Sequence, residues 1–198
     1  EALKSSVNAL TFTHFDEAMD KARKAEAKYA RGARTGALEG LPVGIKDESE
    51  IKGKPTSSGS LIFRDNVATQ TSTMNARIMA AGGIVHARTA TPEFSCAGTT
   101  WTRLWGVTRN PWNRDFTPGG SSGGAGASLA SGTSSIATGS DIGGSIRIPA
   151  SACGVVGYKP SFGAISRDGV FPFSKTLDHV GVFARSVEDA AWFGACLM

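Results

Sequence analysis

The sequence predicts an α/β fold, and three observations lead there. Short apolar, β-compatible runs (LPVGIK, IVHAR, IATG and VVGYK) recur along the chain. Stretches with helical periodicity stand between the first of them. Glycines, 25 among 198 residues, punctuate the junctions. Strands that alternate with helices pack around a buried sheet.

Taken in order, Thr13 followed by Asp16 reads as a capping box. The stretch after it sets Phe15, Ala18, Ala22, Ala25 and Tyr29 on one face of an amphipathic helix, which Gly32 stops. Residues 1–35 are therefore expected as an N-terminal helical segment of the domain. Leu41 to Lys46 reads as a strand ending in a lysine, with a polar loop through Gly59. TQTSTMNARIMAAGG reads as a second helix closed by Gly82 and Gly83, and Ile84 to Arg88 as the next strand. Thr91-Pro92-Glu93 suits a cap with proline at the first helical position. Residues 101–118, rich in Trp and Pro, read as irregular. IATG and VVGYK supply strands between the glycine turns of 119–157, and Ser186-Val187-Glu188-Asp189 caps a helix that runs to Met198. A single domain over 1–198 is expected, cut off at its C-terminal end because the chain stops inside a helix. No internal repeat is visible.

Hydrophobic residues make up 40% and charged residues 19%, the balance of a globular chain. Net charge is +4 with a pI near 9.1, yet no run of five basic residues occurs, which argues against a nucleic-acid or membrane patch. Cys96, Cys153 and Cys196 are odd in number and lack C-x-x-C spacing. That argues against a disulfide framework or zinc knuckle and for a reducing compartment, so a cytoplasmic location is expected. No apolar run of about 18 residues is present to span a membrane.

Two segments, TPGGSSGG and GSDIGGSIRIP, hold serines inside glycine clusters. A flexible linker has no use for the Leu129, Ile136, Ile142, Ile146, Ile148, Val155 and Val156 that share this region. A phosphate loop needs a lysine after the glycines, and the dinucleotide pattern G-x-G-x-x-G is absent. GGSSG matches a nucleophile elbow around Ser121, but that motif needs a preceding strand and Pro118 stands there instead. Of the histidines, His14 lies in a charged helix, His86 suits a core, and only His179 beside Asp178 remains as a base. A third serine chemistry dispenses with histidine, using a lysine base and a second serine that relays the proton.

For that chemistry the chain resembles a known family. LPVGIKD, TPGGSSGG and GSDIGGSIRIPASACGVVGYKP are similar to the amidase signature family, serine hydrolases of carboxylic amides. PTSSGS, TRNPWN and LDHVGVFARSVEDAA extend the similarity from about residue 15 to the end. The resemblance implies a central mixed β-sheet flanked by helices on both sides, of which this chain is the N-terminal part. It implies Ser145 as nucleophile, Ser121 as bridging serine with a cis bond to Gly120, and Lys46 as base. Ser122 is the alternative relay, or a helix N-cap. The amides of Ile142, Gly143, Gly144 and Ser145 would form the oxyanion hole. Asp141 and Arg147 flank the nucleophile turn, where a pair between them would brace the loop. Cys96, Ala97 and Gly98 lie where the family's substrate pocket begins. Trp101, Trp105 and Trp112 either shape an acyl pocket or pack in core and loops. No metal or organic cofactor is implied. The expected partner is a small-molecule amide, with a homodimer allowed and no nucleic acid contacted directly. Two alternatives share the core: the A subunit of glutamyl-tRNA amidotransferase, and a catalytically silent acyl-binding relative.

The chemistry explains the residue types. Aimed N–H donors stabilise a tetrahedral oxyanion by roughly 3–4 kcal/mol each, and glycine lets the backbone approach unshielded. Lys46 must be neutral to accept a proton. Lowering a lysine from about 10.4 to about 7 takes about 4–5 kcal/mol, which burial can supply. Asp47 would oppose this if it paired with Lys46, but strand neighbours face opposite ways.

Overall fold

The computed structural model describes residues 6–198. Within them, eight strands are β1 (Leu10–Thr13), β2 (Pro42–Lys46), β3 (Ile84–Thr89), β4 (Trp101–Thr102), β5 (Gly106–Val107), β6 (Ile136–Asp141), β7 (Val156–Tyr158) and β8 (His179–Ala184). Five helices are α1 (Phe15–Ala30), α2 (Thr73–Ala80), α3 (Gly123–Ala130), α4 (Arg147–Cys153) and α5 (Val187–Leu197).

Six strands form one mixed sheet in the order β1-β3-β2-β6-β8-β7. Its centre, β3-β2-β6, is parallel, while β1 and β8 join antiparallel. Both faces are covered, as strand alternation requires. Ile136 packs with Val43, Ile45, Ile78 and Phe193 on the face under α2 and α5. The next residue, Ala137, turns to Leu129, Ile146 and Ala150 under α3 and α4. Val182 and Phe183 divide the same way.

Local signals account for several boundaries. Ser72 accepts the Asn75 N–H to start α2, and Ser186 accepts the Asp189 N–H to start α5. The expected box at Thr13 does not form: Thr13 ends β1, and His14 stands at the N-cap without a side-chain bond. The segment 1–35 is thus not purely helical. Only Ala25 of the predicted apolar face is buried, with Phe15 50% and Tyr29 59% exposed. Residues 101–107, read as irregular, carry the small hairpin β4–β5. β1 is a four-residue edge strand whose hydrogen bonds come from β3, more than 70 residues away in sequence. No local pattern announces it.

Two features place the site. Lys46 and Asp141 stand at the ends of β2 and β6, neighbouring parallel strands whose C-terminal edge is the usual place for function in such sheets. The first glycine cluster then lets α3 press against the chain beyond β3. A Cβ on Gly124 would lie 2.2 Å from the Ala90 nitrogen. These glycines therefore serve close packing, a role beyond baring amides.

Candidate active site

Lys46 is 1% exposed, at the end of the apolar run that delivers it. Its Nζ donates to Ser121 Oγ at 2.8 Å and to Ser140 Oγ at 2.8 Å, and lies 3.2 Å from Glu48 Oε2. The Gly120–Ser121 peptide bond is cis. Gly120 is walled in, for a Cβ there would meet the Ala97 oxygen at 2.8 Å. Ser122 turns elsewhere. Its N–H donates to the Ser145 carbonyl at 3.1 Å, tying the two glycine clusters together. It occupies the N-cap position of α3 without a side-chain cap, its hydroxyl meeting the Ser140 carbonyl instead.

Ser121, Ser140, Ser145, Ile142, Glu48 and Ser95 line a pocket of about 360 Å3. Residues between Arg167 and Val180, including Phe171 and Phe173, also line it. No side-chain hydrogen bond joins Ser121 to Ser145 among the described residues, although both border this cavity.

The turn carrying Ser145 is organised by one carboxylate. Asp141 accepts the N–H groups of Gly144 at 2.8 Å and Ile146 at 3.1 Å, and Arg147 Nε and Nη2 at 3.0 and 2.9 Å. Burial pushes its pKa up, but Arg147 and these amides outweigh burial and hold it below the usual carboxylate value. Gly144 has a φ of +127°, open to glycine alone, and its N–H is turned to Asp141. The N–H groups of Ile142, Gly143 and Ser145 meet no acceptor among the described residues. Gly143 is exposed, and a Cβ there would touch nothing within 4 Å.

Burial pushes the Lys46 amine below its ordinary value, with Glu48 foremost in opposing it. Asp47 takes no part. It faces away, accepting the Ser57 N–H at 2.9 Å and the Ser57 hydroxyl, with Arg88 Nε at 3.8 Å. Burial lifts the Asp47 carboxyl upward.

Sequence reasoning missed Glu48, Ser140 and Ser95. β2 ends at Lys46, and it is a tight turn, with the Glu48 N–H donating to the Lys46 carbonyl at 2.7 Å, that brings Glu48 back to the lysine, so strand alternation carries no signal for it. The contact to Ser140 depends on the pairing of β2 with β6. Cys96, Ala97 and Gly98 are exposed and do not line the pocket; Ser95, just before them, does. The tryptophans do not line it either: Trp105 Nε1 donates to Ser57 Oγ, Trp112 Nε1 to the Cys153 carbonyl, and Trp101 is exposed. His86 is a satisfied core histidine bonded to Ser134, whereas His179 borders the pocket with Nδ1 on the Leu177 carbonyl. All three cysteines are free, and no described helix is long and apolar enough to cross a membrane.

The chain as a whole has counterparts among known proteins. The Amidase family model matches residues 1–198. The chain belongs to the amidase signature family. The A subunit of the glutamyl-tRNA(Gln) amidotransferase of Gloeothece citriformis is 44% identical over 191 residues, 96% of this chain and 40% of the relative. Its namesake from Endomicrobium trichonymphae is 42% identical over 185 residues, 93% of this chain and 38% of the relative. Among solved amidase signature structures, the peptide amidase of Stenotrophomonas maltophilia superposes with a TM-score of 0.92 at 32% identity, covering 98% of this chain and 41% of that one. A chain of a vestigial protein complex that reveals the evolutionary origins of an s-triazine catabolic enzyme superposes at 0.95 with 37% identity, covering 100% of this chain and 43% of that one. The chain thus spans about 40% of the length of the curated relatives it matches.

Proposed function

We propose that this chain carries the catalytic centre of an amidase, which hydrolyses the carbon–nitrogen bond of a carboxylic amide through an acyl-enzyme on Ser145. One observation carries the reading: the buried Lys46 amine donates to Ser121 Oγ at 2.8 Å inside the pocket that Ser145 also borders. In the cycle, Lys46 first sheds a proton to solvent. Ser145 Oγ then attacks the carbonyl carbon while its proton passes through Ser121 to Lys46. The oxyanion is met by the N–H groups of Ile142, Gly143 and Ser145, while Gly144 shapes the turn. Collapse breaks the C–N bond, and the leaving amine takes the proton back by the same relay. Water attacks the ester, and the acid departs. Three unpaired cysteines fit a cytoplasmic setting.

The test is an amide panel assayed with the full-length protein and its Ser145→Ala variant. Turnover confined to the parent protein supports the reading, and equal rates in both refute it.

A second reading has its own support, since curated relatives at 41–44% identity are each named as the A subunit of a glutamyl-tRNA(Gln) amidotransferase. On it, the same centre releases ammonia from glutamine for use by partner subunits. Glutamine hydrolysis that appears only on adding such subunits would favour it. Turnover of simple aryl or alkyl amides by the chain alone would count against it.

A further inference from the structure

An ammonium has three N–H donors, and Lys46 Nζ has three acceptors around it: Ser121, Ser140 and Glu48. The two hydroxyls can give or take a proton, but the Glu48 carboxylate can only accept, so this geometry suits the charged form, whereas a general base must present a lone pair. Glu48 is the acid that stabilises this charge at contact distance. It is 4% exposed and fixed from two sides. Its carboxylate takes the Ser95 hydroxyl, which is itself bonded to Thr91 Oγ1 at 2.9 Å, and its carbonyl takes the Phe171 N–H at 2.9 Å. Ser95 reaches it through a turn where Phe94 and Ser95 have φ of 52° and 57°, with Phe94 stacked on Phe171 at 5.3 Å.

The other charges near Lys46 are engaged elsewhere or more distant. Asp47, just beyond β2, faces Arg88 of β3. Asp141 at the end of β6 is held by Arg147 of α4, and Asp178 caps the N–H groups of Phe173 and Ser174. Arg167, Asp168, Lys175 and His179 border the same pocket without an ion pair to Lys46.

We propose that Glu48 is a positioning residue that holds Lys46 as an ammonium in the resting site and so sets the pH above which the serine relay runs. This rests on the amidase reading, with Ser145 as nucleophile. Removal of the Glu48 charge favours the neutral amine and lets the relay start at lower pH. Of the groups that counter burial at Lys46, Glu48 stands first, ahead of Asp141 and Asp178, in agreement with its 3.2 Å contact.

The experiment is the rate of Ser145 labelling by a fluorophosphonate probe against pH, in the full-length protein and its Glu48→Gln and Glu48→Asp variants. In Glu48→Gln the acid-side midpoint should fall by about one pH unit, the size of a single close opposite charge. Below both midpoints this variant should label up to about tenfold faster than the parent. Glu48→Asp, which keeps the charge, should return the midpoint toward the parent value. A gain of rate at low pH is something a merely structural residue cannot produce. An unmoved midpoint in Glu48→Gln, or slower labelling at every pH, overturns the proposal. Should Glu48→Gln not fold, Ser95→Ala loosens the carboxylate and must lower the midpoint by a smaller step, an unmoved midpoint again being fatal. Labelling that survives Ser145→Ala removes the amidase reading and this proposal together. Labelling lost in Ser145→Ala beside an unmoved midpoint removes this proposal alone.

Discussion

Arg147 clamps Asp141 with two N–H donors at 2.9 and 3.0 Å, and the buried carboxylate so fixed reaches past Ser145 to the amides on either side of it, at Gly144 and Ile146. The nucleophile turn therefore depends on one side chain. Asp141→Ala leaves those amides without their acceptor and should cost about 3 kcal/mol in urea unfolding, together with a fall in turnover. Because its native pKa is depressed, Asp141 contributes stability above its unfolded value near 4 and loses it as pH falls through the lower native value. The gap in melting temperature between parent and variant should accordingly narrow only below about pH 4.

Lys46, Ser121 and Ser145 should behave as one unit. Each single alanine variant is expected to lower amide turnover by roughly a thousandfold or more, and the triple variant by little beyond the worst single one, since groups acting in concert are not additive. Steady-state rates on one amide substrate would check this. Independent, multiplying losses would contradict a shared proton path.

His86 is buried, bonded to Ser134 and held near a pKa of about 4 by burial. A histidine whose native value is depressed favours the folded state above its unfolded value near 6.5 and loses that contribution as pH falls toward 4. The protein should lose about 3 kcal/mol across this window, and His86→Gln should flatten the slope. Urea midpoints at pH 7, 5.5 and 4 would decide it.

The glycine clusters should separate by substitution. Gly124→Ala forces a methyl onto the Ala90 backbone and should destabilise by about 3 kcal/mol. Gly143→Ala places its methyl in open space and should leave unfolding unchanged within about 0.5 kcal/mol. Thermal melts of the two variants, run side by side, supply the measurement.

Much of this was legible beforehand, for particular reasons. β2 showed in LPVGIK because a buried parallel strand is written as a continuous apolar run, and α5 in the serine that caps it. The cis-linked Ser121 was legible only through likeness to a family, since no propensity encodes such a bond. The sequence reading sets a substrate wall at Cys96 to Gly98, whereas the pocket is bordered just before them, by Ser95. The turn that carries Ser95 inward uses left-handed backbone at Phe94 and Ser95, which neither residue type signals.

Residue types and their local spacing were enough to name the α/β class and the capped helices, because period, caps and turns are short-range properties of the chain, whereas the lysine and the two serines were singled out by resemblance to a family. Which of those groups meet was settled by tertiary structure alone. Lys46 reaches Ser121 across 75 positions and Ser140 across 94, through the packing of β2 against β6 and the approach of α3. The same packing buries Glu48 against the amine, and the proton affinity of that lysine follows from the low-dielectric space they share, a quantity no stretch of sequence carries by itself.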